Sequence, residues 1–172
     1  MNNTKHIGIT LDNNNSNIIE AFVDSSFGPS SDRKIQSDIM IRCGQGPLLC
    51  KSNKQSIVAK SSTESELIAA SDSISYLYAI RNILKFLNFE INNRIIYQDN
   101  QSTIKLINNN KPISIKSKHI DMRYFFLRDQ IKRNIQIKYC STHEMLSDIL
   151  TKGVPTKQFI TLRDKLINYQ EH

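Results

Sequence analysis

Cysteine is scarce in this sequence, and long apolar runs are missing from it. The three cysteines, Cys43, Cys50 and Cys140, are far apart, odd in number and without a C-x-x-C pair. That spacing argues against a disulfide framework and against a zinc site. Each lies in or beside an apolar stretch, which predicts buried free thiols in a reducing compartment. No stretch approaches the roughly 20 apolar residues of a membrane span, and no apolar N-terminal run precedes a cleavage site. The expectation is a soluble, intracellular chain. Neither G-x-x-x-x-G-K-[ST] nor G-x-G-x-x-G occurs, so nucleotide-cofactor readings lack support. There is no internal repeat.

What is present is a basic chain of 172 residues, 39% hydrophobic. The length favours one domain with a real core, which needs no metal or disulfide staple. Lys and Arg total 23 against 16 Asp and Glu, a formal charge of +7. Such an excess is consistent with a polyanionic partner, although many basic domains bind no nucleic acid.

Ile7 to Leu11 is a short apolar piece that reads as detached from the remainder of the chain. Ile18 to Asp24 reads as a strand with an acidic end. Ser25 to Lys34 reads as a loop, Asp38 to Cys43 as a second strand, and Gly44 to Pro47 as a hairpin-type turn. Leu48 to Lys51 begins a third strand. From Thr63, Leu67, Ala70, Ile74, Leu77, Leu84 and Leu87 recur at helical steps. Thr63 with Glu66 resembles a capping box that would start this helix. Arg94 to Gln98 is a short strand ending at Asp99, and Ser102 to Asn108 a short helix. A basic helix runs from about Asp121 to Arg133, and Ile135 to Cys140 alternates as a fifth strand. Glu144 to Lys152 and Lys157 to Tyr169 read as the last two helices. This order predicts an α/β fold with a five-stranded mixed sheet flanked by helices.

Four acids stand where chemistry could use them. Asp24 ends the first strand and Asp99 the fourth. If these strands are parallel neighbours, the two acids converge at their carboxyl ends, with the long helix as the crossover. At about 100° per residue, Glu66 continues the apolar stripe through Ala70, Ile74 and Leu77, whereas Glu64 falls about 120° away, toward solvent. A carboxylate on a buried face needs a partner, and a metal ion would serve. Asp148, early in a later helix, could enter from the other side. Oxygen ligands without a His or Cys cluster point to Mg²⁺ or Mn²⁺ rather than zinc. Two such ions about 4 Å apart support phosphodiester hydrolysis. Taken singly, each acid reads equally as a turn or surface residue.

The run KSNKQSIVAKSSTESELIAASDS resembles a segment of the ribonuclease H domain of copia-type LTR retrotransposon Pol polyproteins. So do AFVDSSFG, IIYQDNQSTIKLINN, KSKHIDMRYFFLRDQI and YCSTHEMLSDILTKGVP. The resemblance spans roughly Asn17 to Leu166. It implies a ribonuclease H-like fold and a catalytic, metal-binding quartet of Asp24, Glu66, Asp99 and Asp148 using two Mg²⁺ or Mn²⁺ ions. The implied activity is cleavage of the RNA strand of RNA–DNA hybrids during reverse transcription, with a reverse transcriptase domain as partner and a cytoplasmic virus-like particle as location. TKHIGITLD resembles the connection that precedes this domain. The implied division is a connection-like segment 1–17, a ribonuclease H-like domain 18–155 and a helical extension 156–172. The family commonly has Gly near Asp38 and Trp near Cys50, and this chain has neither. Those departures bear on strand packing more than on chemistry.

Ser62, Asn100, Lys118 and Arg123 are the candidate substrate contacts. Lys116, Lys118, His119, Arg123 and Arg128 surround Tyr124, Phe125 and Phe126, which suits either a phosphate-binding face or an ordinary amphipathic helix. Ser61, Ser62 and Thr63 suit either phosphate contact or helix capping. His143 stands five residues before Asp148 and could assist product release, or be a surface histidine. Two rival readings remain open: a catalytically inactive nucleic-acid-binding remnant, and a structural module of a polyprotein.

Overall fold

The computed structural model describes residues 7–11, 17–26, 35–55, 57–109, 118–151 and 153–168. Its strands are β1 (Ile18–Ser26), β2 (Gln36–Cys43), β3 (Pro47–Lys54), β4 (Asn93–Gln98) and β5 (Ile135–Tyr139). Its helices are α1 (Ser62–Phe86), α2 (Gln101–Asn108), α3 (Lys118–Lys132), α4 (Asp148–Thr151) and α5 (Thr156–Ile167). The strands form one mixed sheet in the order β3-β2-β1-β4-β5. β1 pairs antiparallel with β2, and β2 with β3, while β1–β4 and β4–β5 are parallel. The parallel pairing needs a crossover, and α1 supplies it between β3 and β4.

Strand alternation divides the core into two layers. Ile19, Ala21 and Val23 of β1, with Ile39 and Ile41 of β2, pack with Leu67, Ile68, Ile74 and Leu77 of α1 and with Tyr124 and Leu127 of α3. Phe22 and Met40, one residue out of phase, face the other way and pack with Cys140, Met145, Leu146 and Leu162. β1 thus lies at the centre of the sheet with helices over both faces, so its carboxyl end is enclosed from two sides.

Several local expectations need correction. The capping box sits two residues earlier than Thr63–Glu66. Ser61 is the N-cap, its hydroxyl accepting from the Glu64 backbone N–H at 3.2 Å, and Glu64 Oε2 accepts from the Lys60 N–H at 2.7 Å. Glu66 is unavailable for capping because its carboxylate faces β1 and β4. The helix expected over Glu144 to Lys152 is shorter, since turns precede Asp148; Lys152 lies outside the described residues. The β1 strand continues through Ser25 and Ser26, and the rest of the loop expected after it lies outside the described residues. Residues 7–11 are neither a strand nor detached. The Thr10 N–H donates to Ile167 O at 2.9 Å. Gly46, at φ +82°, passes so close that a Cβ there would stand 2.6 Å from Thr10 O, which explains the glycine. Of the cysteines, Cys140 is buried, Cys43 half-buried and Cys50 exposed on the edge strand β3.

Candidate active site

The sheet brings three of the four acids together. Asp24 stands near the end of β1, Asp99 follows the last residue of the parallel neighbour β4, and Glu66 lies in the first turns of α1. One carboxylate oxygen from each lies within 4.8 Å of the others. Asp24 is 1% exposed and Glu66 5% exposed, while Asp99 is half-buried, which leaves the cluster an opening on the Asp99 side. Asp148 is 1% exposed at the start of α4, which packs across β1, β2 and β3, but it lies outside the three-acid grouping.

Glu66 is held from both adjacent strands. The Ser25 N–H of β1 donates to Oε1 at 3.2 Å, and Gln98 Nε2 of β4 donates to Oε2 at 2.9 Å. Burial, and next the charge of Asp24, push the Glu66 carboxyl from its ordinary 4.5 to about 8; the Gln98 bond, the charge of Asp99 and the Ser25 bond follow, with the two bonds opposing the rise. Thus, with no cation nearby, Glu66 carries a proton at neutral pH. A hard cation would reverse that balance. Three buried or half-buried oxygen ligands, one of them held by neutral donors only, suit a divalent ion of the Mg²⁺ or Mn²⁺ kind.

The remaining candidates are more dispersed. Ser62 is exposed in the first turn of α1, where its carbonyl accepts from Ser65 Oγ. Asn100 caps α2 through a 3.1 Å bond from the Thr103 N–H to its side chain. Lys118 is exposed at the start of α3, whereas Arg123 pairs with Asp72 of α1. His143 is exposed in the β5–α4 connection; its neighbour Thr142 donates its hydroxyl to Asp99 Oδ2 at 3.1 Å.

Sequence reasoning missed Ser25, Gln98, Thr142 and Asp38. Ser25 and Gln98 had a signal available. Alternation puts Ser25 on the Val23 face and Gln98 on the Ile96 face, the side covered by α1. Asp38, 0% exposed, stands opposite Asp24 in the β1–β2 register, a position that only the strand pairing reveals.

No protein-family model matches the chain. The N-terminal RNase H domain of Rv2228c from Mycobacterium tuberculosis superimposes with a TM-score of 0.55 at 6% identity, over 87% of this chain and 98% of that one. LC11-RNase H1, solved in complex with an RNA/DNA hybrid, superimposes with a TM-score of 0.51 at 11% identity, over 74% of this chain and 88% of that one. The fold is that of ribonuclease H. In sequence, the ribonuclease H-fold chain is 30% identical over 144 residues to the retrovirus-related Pol polyprotein from transposon TNT 1-94 of Nicotiana tabacum. It is 29% identical over 163 residues to that from transposon RE2 of Arabidopsis thaliana. These alignments cover 83% and 92% of this chain but 11% of each polyprotein, so the chain spans about a tenth of the length of the relatives it matches. Its homologues are therefore retrotransposon Pol polyproteins, and the matched part carries the ribonuclease H fold. Among the described residues, no helix is long and apolar enough to cross a membrane.

Proposed function

We propose that this chain is a metal-dependent ribonuclease H that cleaves the RNA strand of RNA–DNA hybrids, as part of a retrotransposon reverse transcriptase. The observation that carries the reading is the convergence of Asp24, Glu66 and Asp99 oxygens within 4.8 Å at the carboxyl ends of two parallel strands. The ribonuclease H fold and the Pol homologues support it, as does the hybrid bound by LC11-RNase H1.

In this reading Asp24 and Asp99 flank both ions, while Glu66 and Asp148 each complete one side. When bound, the two divalent ions would supply a water of lowered pKa and neutralise charge at the scissile phosphodiester. The chain's own part is positional. β1 and β4 present Asp24 and Asp99 in register, and the Ser25 N–H and the Gln98 amide set the plane of the Glu66 carboxylate. Asn100 caps α2 beside Asp99, which sets the backbone on that side. Ser62, Lys118 and Arg123 are proposed to meet the hybrid backbone, with 2′-hydroxyls read in its shallow groove. His143 is proposed to assist product release from the exposed connection. The proposed division is 1–17, 18–155 and 156–172, with the reverse transcriptase domain as partner and the virus-like particle as location.

The test is cleavage of a labelled RNA–DNA hybrid in Mg²⁺ and in Mn²⁺. Wild type is expected to cut, and Asp99→Asn to fall to background. Equal rates for the two would remove the assignment. Salt-sensitive hybrid binding without turnover by wild type in either metal would establish the inactive-remnant reading instead.

A further inference from the structure

Gln98 is 1% exposed and is the last residue of β4, immediately before Asp99. Its carboxamide is used at both ends. Nε2 donates to Glu66 Oε2 at 2.9 Å, and Oε1 accepts from the backbone N–H of Asp99 at 3.1 Å. The chemistry of the partners fixes the amide's orientation. Turning it over would put its NH₂ against an N–H and its oxygen against a carboxylate. One side chain thereby ties the carboxylate of one acid to the main chain of another.

We infer that Gln98 is a positioning residue for the metal site, aiming the Glu66 carboxylate and anchoring the Asp99 backbone through one oriented amide. The inference rests on the metal-site reading proposed above. Three features carry it. First, a glutamate has several rotatable bonds, and Glu66 reaches β1 and β4 from a helix; without a second tether its carboxylate can turn about the single Ser25 N–H bond. Second, each carboxylate oxygen has two acceptor directions, and the Ser25 and Gln98 bonds take one on each oxygen. A direction remains on each oxygen for a cation. Third, the donors are neutral. A lysine or arginine at position 98 would hold Glu66 equally well but would cancel the charge that a cation needs. Gln98 therefore orders the ligand without competing for it.

The experiment is Mn²⁺ binding by calorimetry, with no substrate present, on wild type, Gln98→Met, Glu66→Gln and the double variant. Gln98→Met keeps the length of the side chain and removes both polar ends. The expected result is a weakening of Mn²⁺ affinity by about 10- to 100-fold, the range seen when a partner of a metal ligand is removed. In the Glu66→Gln background the same change should add little, because the group it positions is gone. Additive losses in the two backgrounds, or an unchanged Kd for Gln98→Met, would overturn the inference while leaving the metal site standing. Wild type that binds no Mn²⁺ would overturn the metal-site reading, and the Gln98 inference with it. If Gln98→Met fails to fold by circular dichroism, Gln98→Asn goes through the same cycle. It keeps the amide but is one carbon too short to span both partners.

Discussion

Glu66 shows how a residue's position can oppose its ordinary chemistry. Burial and the neighbouring Asp24 raise its carboxyl to about 8, while the unfolded chain would titrate near 4.5. Between these values the folded state binds a proton that the unfolded state does not, so stability falls as pH rises. The contribution is fully present below about 4.5 and lost as pH passes through about 8. In a chelator, the urea midpoint of wild type should therefore decline across that window, and Glu66→Gln should flatten the decline. Added Mg²⁺ should restore most at the alkaline end, where the cation competes with fewer protons. A wild-type midpoint that is independent of pH would contradict the assigned burial of this charge. Glu64, two residues earlier, was legible as the outward member of the pair, but its work as the helix cap was not. That role depends on where the chain enters the helix at Lys60 and Ser61.

At the scale of elements, α1 is the organising piece. Its inner stripe of Leu67, Ala70, Ile74 and Leu77 was visible in the spacing, and all four side chains are buried. Its start was not visible, because S-S-T-E-S-E offers more than one capping frame. The frame that forms is the one that leaves Glu66 to β1 and β4. Ser61→Ala should consequently lower stability by about 1 kcal/mol, while Thr63→Ala, outside the cap, should cost a few tenths at most. Paired urea melts would check this; equal losses would place the cap at Thr63 after all. α4 was misjudged in length because M-L-S-D-I-L is apolar enough for a longer helix. Packing of Met145 and Leu146 against Phe22 and Met40 keeps the preceding residues in turns instead.

Over the whole molecule, the sheet separates two apolar layers, and the smaller one depends on the C-terminal helix. Leu162 of α5 is 0% exposed and packs with Phe22, Met40 and Leu146. The Thr10 N–H also bonds to Ile167 O at the end of that helix, so the N-terminal segment is tied to it. Leu162→Ala should destabilise the fold by about 2–5 kcal/mol, in the range of buried leucine truncations. A chain ended after Pro155 should melt well below the full chain. An unchanged melting temperature would show that residues 18–155 stand alone and that 156–172 is an appendage.

The sequence by itself determined the elements and their faces. Apolar periods of two and of about 3.6 gave five strands and the buried side of α1, and helical phase selected Glu66 over Glu64. These signals are local, because a side chain's face follows from its place in its own strand or helix. Only the tertiary structure decided which strands are neighbours. The order β3-β2-β1-β4-β5 puts Asp24 beside Asp99, Asp38 opposite Asp24, and Gln98 within reach of Glu66. Those contacts span up to 75 positions of chain, and no local period encodes them. They follow from the need to bury both faces of one sheet at once.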